Sequence, residues 1–316
     1  MTATETTGTV VGTSVKRKED ASLLRGRGTY VENLSLPGTV FMALVRSPYP
    51  HARIKSVNLD AARAADGVVA AFSGADLADD WKGSLPCAWA VTEDIKMPPH
   101  YPLAVDEARF QGDGVAVVIA ESRALAKDAA ELVEVDYEPL GSVADVEKAL
   151  ESGAPLVHAD LGTNECYVWK LDAGDVQAAI DAADVVVTRR YYQPRLIPNA
   201  IEPRGVLAQV GPTDEVTLWS ATQVPHVLRF ALQLVLGIPE SKIRVIAPDV
   251  GGGFGSKLDV YAEEALAVAL ARRLRRPVKW TEERAENYQA TIHGRDVVSE
   301  LTFAATKDGR ITAVKG

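Results

Sequence analysis

The sequence predicts an α+β fold in two successive regions, and three observations predict it. From Gly38 onward, short β-rich apolar runs alternate with short helical stretches, so the hydrophobic period switches repeatedly between strand and helix. Proline, glycine and Asp-Gly turn signals fall between those runs. A chain of 316 residues, 47% hydrophobic and 24% charged, is long enough for two domains with a substantial core.

Residues 1–24 are polar, rich in Thr, Gly and Lys, and read as a loosely held arm. The first domain spans 25–141. Val40–Val45 reads as a strand, and Ser47-Pro48-Tyr49-Pro50 then forces a turn, because proline removes a donor and restricts its predecessor. Ile54–Leu59 alternates as a second strand, and Asp60 is placed to cap the Ala-rich helix after it. Val68–Phe72 is a third strand. Trp81–Pro102 carries four prolines and no period, and is expected to be an irregular surface excursion. Val115–Ala120 is apolar throughout, as a strand buried on both faces requires. Ser122 caps a helix through Leu132, and Val133–Tyr137 closes the unit near Leu140.

The second region, 142–316, opens with a polar stretch to about Lys170. Strands follow at Asp184–Thr188, Gly205–Val210 and Val216–Ser220. Pro225 suits the first position of a helix to Leu236, with Gly237 as its stop and Pro239 beyond. Ile243–Ala247 is a strand, followed by a glycine-rich loop and a long helix over Tyr261–Leu274. Leu301–Phe303 and Ile311–Val314 form a hairpin around Asp308-Gly309. The chain ends on that second strand, and a domain ending in mid-sheet predicts an incomplete sequence.

A net charge of -9 argues against a nucleic-acid partner, which needs a concentrated positive surface. The one dense basic cluster, Arg272–Arg276, falls at a helix C-terminus, where cations complement the dipole. Cys87 and Cys166 stand far apart and supply no zinc or iron–sulfur ligand set, so the metal assignment from side chains is none. There is neither a signal-peptide pattern nor a run of about 18 apolar residues, so the expectation is a cytoplasmic protein without a membrane span.

The sharpest feature is Gly251-Gly252-Gly253-Phe254-Gly255-Ser256-Lys257. Glycines at 251, 252, 253 and 255 leave backbone amides uncovered and let a bulky ligand approach the main chain. A helix N-terminus behind such a loop favours oxyanions, and Lys257 offers a positive charge. A dinucleotide fingerprint needs Gly or Ala where Ser256 stands, and a P-loop needs Gly before the lysine and Ser or Thr at Leu258. Both fail on spacing. A tight strand-to-helix turn without a ligand stays open on the loop alone.

Ala247-Pro248-Asp249-Val250 followed by GGGFGSK resembles the molybdopterin loop of molybdenum hydroxylase large subunits, the xanthine dehydrogenase, aldehyde oxidase and carbon monoxide dehydrogenase group. Thr222-Gln223-Val224-Pro225-His226 is similar to the family's second cofactor segment. Arg46–Arg53 and Arg109–Asp113 resemble its opening a/b hammerhead domain, and Arg276–Trp280 with Glu282-Glu283-Arg284 fit as well. The resemblance runs in order from about Gly12 to Gly316. It implies an a/b hammerhead domain over 25–141 and the first part of a mixed α+β molybdopterin-binding domain over 142–316.

By resemblance, Gln223, Gly252, Gly253, Phe254 and Gly255 bind a molybdenum–molybdopterin cofactor, whose cytosine dinucleotide form is left open. Gln223 directs its amide at a molybdenum oxo ligand. The implied reaction hydroxylates a small substrate with oxygen from water, and the partners are a 2Fe-2S small subunit and an FAD-binding medium subunit in a dimer of heterotrimers. The expected base glutamate lies beyond Gly316, so no catalytic residue is assigned within the chain, which alone is expected to be inactive. A non-catalytic docking module completed by another chain is the alternative. Leu258 stands where purine-oxidising members usually carry glutamate, and neither cysteine matches the copper ligand of carbon monoxide oxidation, so aldehydes, N-heteroaromatics and CO-type substrates all stay open. His226 reads as a surface histidine, His51 as structural, Glu202-Pro203-Arg204 as an ion-paired corner, and Glu263 and Glu264 as helix N-terminal carboxylates.

Overall fold

The computed structural model describes residues 11–87 and 90–316; the first ten residues of the expected arm, with Ala88 and Trp89 of the proline-rich stretch, lie outside the described residues. In chain order, α1 (Asp20–Leu23) precedes β1 (Val40–Arg46), β2 (Ala52–Asn58), α2 (Asp60–Ala64), β3 (Val68–Ser73) and α3 (Gly74–Leu77). Then come β4 (Glu107–Ala108), β5 (Gly114–Ala120), α4 (Arg123–Ala130), β6 (Glu134–Pro139), α5 (Val176–Asp181) and β7 (Val185–Gln193). β8 (Gly205–Val210), β9 (Val216–Ser220), α6 (Pro225–Leu236), β10 (Ile243–Ile246) and α7 (Ala262–Leu274) carry the candidate site. β11 (Val278–Thr281), α8 (Arg284–Ala290), β12 (Val297–Ala305) and β13 (Ile311–Lys315) complete the described elements.

A seven-stranded mixed sheet, in the order β10-β9-β8-β11-β1-β5-β3, runs through both predicted regions. The join is the parallel pairing of β1 with β11, Val40 opposite Val278 and Phe41 opposite Lys279. β5 is buried along its whole length, as its unbroken apolar run requires. Two three-stranded sheets, β4-β2-β6 and β13-β12-β7, flank it, and β7 is exposed at every residue.

Helices α6 and α7 cover the β8–β9 end of the large sheet. Leu228, Leu232 and Val235 of α6 pack with Leu266, Val268 and Leu270 of α7 against Val206, Ala208 and Leu218. α6 begins at Pro225 and ends at Gly237 with φ +66°, the conformation that glycine adopts without penalty. α7 is buried from Glu263 through Ala271, so its first turn lies inside the protein. Ser122 caps α4 by accepting from the Leu125 amide at 3.2 Å. No helix among the described residues is long and apolar enough to cross a membrane.

Three local expectations are corrected. Asp60 opens α2 but does not cap it; the Asn58 side chain accepts from the Asp60 amide instead. The Trp81–Pro102 stretch is irregular yet not superficial. Trp81 and Leu85 belong to the main core, and the Lys82 amide donates to Val235 at the end of α6. The prolines break the ladder without preventing apolar side chains from packing inward. β11 and α8, absent from the periodicity, are present as short elements.

Candidate functional site

The glycine-rich segment lies between the end of β10 at Ile246 and the start of α7 at Ala262. Gly252, Phe254 and Gly255 all have positive φ, at +98°, +52° and +94°. For Phe254 this left-handed backbone is a strained position, and its ring stands 76% exposed. Gly251 and Gly253 are needed for a different reason. A Cβ on Gly251 would lie 2.5 Å from the Glu202 Cβ, and one on Gly253 would lie 2.3 Å from Gln223 Oε1. The loop is therefore threaded between the chain entering β8 and the β9–α6 connection.

Gln223, on that connection, is fastened to the loop by both backbone and side chain. Its amide donates to the Lys257 carbonyl at 2.8 Å. Its Oε1 accepts from the Gly255 amide at 3.0 Å and the Lys257 amide at 3.3 Å. Two N–H donors converging on one atom require that atom to be the oxygen. The side-chain Nε2 then makes no hydrogen bond to any described residue, and Gln223 is exposed. Gly252 and Phe254 likewise hydrogen-bond to no described residue. Sequence-predicted Gln223, Gly252, Gly253, Phe254 and Gly255 thus come together, with Gln223 and Phe254 exposed and Gly253 buried against Gln223, and the Gln223 Nε2 and the Gly252 and Phe254 amides stay uncommitted among the described residues.

The two positive features expected of the loop are spent elsewhere. Lys257 has a side chain only 1% exposed, and its Nζ pairs with Glu202 Oε2 at 2.8 Å. The same oxygen accepts from the Gly251 amide at 2.7 Å. Burial pulls the Lys257 ammonium below its usual range, and Glu202 opposes that pull. The α7 N-terminus does not stand open behind the loop either. Glu264 accepts from the Tyr261 amide at 2.9 Å, and Glu263 is ion-paired to Arg46 and Arg204. Carboxylates of the chain itself answer that dipole end, so an anion has no place there.

Beneath the site lies a buried charge network that the sequence only hinted at through Glu202-Pro203-Arg204. Arg204 donates to Glu282 Oε1 at 2.6 Å and to Glu263 Oε2 at 2.8 Å, with its guanidinium 3.9 Å from the Tyr261 ring centroid. Glu282 also accepts from Asn287 at 2.8 Å, and Arg46 reaches Glu263 at 2.6 Å and Glu286 at 2.9 Å. Burial alone would raise the Glu263 carboxyl, but Arg204 and Arg46 outweigh it and hold it at about 2. Glu264 makes no salt bridge to any described residue, and the nearby Arg204 offsets only part of the effect of burial. Burial pushes its carboxyl up to about 7, against the 2.6 Å hydrogen bond from Ser220. Tyr261 ties this base to the loop through its hydroxyl, which donates to the Ser256 carbonyl at 2.5 Å.

None of the remaining candidates hydrogen-bonds to the loop or to Gln223. His226 is exposed at the start of α6. His51 is 7% exposed, with Nδ1 3.0 Å from the Gly141 carbonyl, and closes the turn against the end of β6. Cys87 and Cys166 are free and exposed. Among the described residues, no group of three His, Cys, Asp or Glu is placed to hold a metal ion.

Two family models match the chain. The aldehyde oxidase and xanthine dehydrogenase a/b hammerhead domain matches residues 25–141, and the molybdopterin cofactor-binding domain matches residues 157–316. The chain belongs to the family of molybdopterin-dependent oxidoreductases that contains aldehyde oxidase, xanthine dehydrogenase and carbon monoxide dehydrogenase. The carbon monoxide dehydrogenase large chain of Afipia carboxidovorans is 38% identical over 319 residues, covering 96% of this chain and 39% of that protein. The nicotine 6-hydroxylase large subunit of Paenarthrobacter nicotinovorans is 37% identical over 312 residues, covering 98% of this chain and 38% of that one. Among solved structures, quinoline 2-oxidoreductase from Pseudomonas putida 86 superposes with a TM-score of 0.90 at 38% identity, over 96% of this chain and 38% of its own. The chain thus spans less than two fifths of the length of these relatives.

Proposed function

We propose that the chain is the N-terminal part of the molybdenum-binding subunit of a molybdenum hydroxylase, and that its loop 251–255 and Gln223 hold the molybdenum–molybdopterin cofactor. The carrying observation is the anchoring of Gln223: its oxygen is fixed by the Gly255 and Lys257 amides, which leaves Nε2 as a directed, neutral donor. Fit of the group rests on the same geometry. The loop is open beside Gly255, where an added Cβ would meet nothing within 4 Å, and any side chain on Gly253 would displace Gln223. With Lys257 buried against Glu202, the loop's own cation is turned inward and Gln223 with the loop backbone offers neutral dipoles, which suits a metal-oxo or dithiolene edge.

When bound, the cofactor would supply the redox chemistry that hydroxylates an electron-poor carbon with oxygen from water. The residues here contribute orientation. Gln223 Nε2 donates from a position fixed by the loop, and the Gly252–Gly255 backbone sets the distance of approach. Turnover is proposed for the whole assembled protein, with 2Fe-2S and FAD subunits accepting electrons. Substrates are drawn from the classes of the relatives: carbon monoxide, N-heteroaromatics such as nicotine, or aldehydes. We further propose the division into a hammerhead domain over 25–141 and a cofactor domain from 142.

Gln223→Ala in the purified complex tests the reading. It should keep molybdenum while turnover of the wild-type substrate falls about 100-fold, the usual effect of losing one preorganised donor. Undiminished turnover would remove Gln223 from the site.

A further inference from the structure

We propose that Glu202 and Lys257 act as a positioning pair, a buried brace that sets where the cofactor loop holds Gln223. Its consequence for the cofactor rests on the function proposed above, whereas the brace itself is a property of this chain.

Lys257 is the hub of the loop. Its backbone grips Gln223 from both sides: the Lys257 amide donates to Gln223 Oε1 at 3.3 Å, and the Lys257 carbonyl accepts from the Gln223 amide at 2.8 Å. The Thr222 hydroxyl adds a third contact to that carbonyl at 3.3 Å. The position of Gln223 is therefore the position of Lys257. What fixes Lys257 is its own side chain, which runs inward and ends on Glu202 Oε2.

Glu202 holds the other end of the loop as well. Its Oε2 takes the Gly251 amide at 2.7 Å, and its own amide donates to the Gly251 carbonyl at 3.2 Å. One carboxylate oxygen thus clamps the first glycine and the terminal lysine of GGGFGSK together. Between them lie the amides of Gly252 and Phe254, which hydrogen-bond to no described residue, and Phe254 adopts a left-handed backbone angle that needs outside support. A buried ammonium without a partner is costly, so the pair is held in register by electrostatics as well as by geometry. Glu202 bonds to the loop at Gly251 and Lys257 and makes no hydrogen bond to Gln223. It positions; it does not react.

The test compares wild type with Glu202→Gln, Lys257→Met and the double variant, each in the complex purified from its own host. Amide hydrogen exchange reads the loop peptide 250–258 against the core strands β5 and β8. Electron paramagnetic resonance of the dithionite-reduced complex reads the ligand field at molybdenum. Each single variant should exchange the loop at least about ten-fold faster while the core strands stay unchanged, and should shift or broaden the molybdenum signal. The double variant should be no looser than either single, because both remove the same contact. If one single variant fails to fold, the other decides by the same readouts. An unchanged loop, an equal loosening of core and loop, or additive effects would overturn the brace. An unchanged molybdenum signal above a loosened loop would overturn its positioning role. Wild type without molybdenum, but with a loop loosened by either substitution, would sink the cofactor reading and leave the brace standing.

Discussion

Gly253→Ala is the sharpest perturbation of the site. Its added Cβ would lie 2.3 Å from Gln223 Oε1 and 2.6 Å from Cδ. Ordinary carbon contacts begin near 3.5 Å, so the Gln223 amide must retreat by roughly 1 Å. Hydrogen bonds of 3.0 and 3.3 Å to the Gly255 and Lys257 amides do not survive such a shift. Two bonds at about 1 kcal/mol each make a local loss of about 2 kcal/mol, which lowers the melting temperature by only a few degrees. The fold stays and the donor leaves. Differential scanning fluorimetry and turnover, measured on the same complex, separate the two. The expected result is a small thermal shift with turnover down by about 100-fold or more. A variant with wild-type molybdenum content and wild-type turnover would refute the placement of Gln223 against the cofactor.

Two further outcomes concern the base of the site. Arg204→Met leaves Glu282 without its buried cation and removes one of the two cations paired with Glu263, and should cost about 3–5 kcal/mol in urea denaturation; a loss below about 1 kcal/mol would contradict the network's role. Glu264 has a folded carboxyl raised to about 7, so the folded state binds the extra proton between the ordinary carboxylate range and neutrality. Its contribution is therefore favourable at low pH and is lost as pH rises through about 7, a penalty of up to roughly 3 kcal/mol. Glu264→Gln should match wild type near pH 5 and exceed it in stability near pH 8. Parallel stability–pH curves for the two proteins would rule this out.

Legibility in the sequence followed the range of the interactions. α6 was readable at both ends because Pro225 and Gly237 act through their own backbone. β8 and β9 matched their runs residue for residue, β8 as a short apolar run buried over its first four residues and β9 by alternation. β11 did not show, because its four residues include Lys279, whose ammonium donates to the carbonyls of Glu32 and Leu34 far away in sequence. Trp81 and Leu85 were hidden by neighbouring prolines. The candidate site divides in the same way. Gln223 and the glycines carry a local motif, whereas Lys257 looked like a ligand-facing cation until Glu202, 55 positions earlier, was found beneath it. Arg204 with Glu263 and Glu282 likewise depends on contacts across 59 and 78 positions. Side chains that serve other side chains leave no period to read.

The central claim, that these residues hold a molybdenum cofactor, is tested most directly by the metal content of the complex purified through this chain from its own host grown on molybdate. The account predicts stoichiometric molybdenum by mass spectrometry, retained in Gln223→Ala and in Gly253→Ala, where only turnover falls. Complex purified intact and free of molybdenum would contradict it.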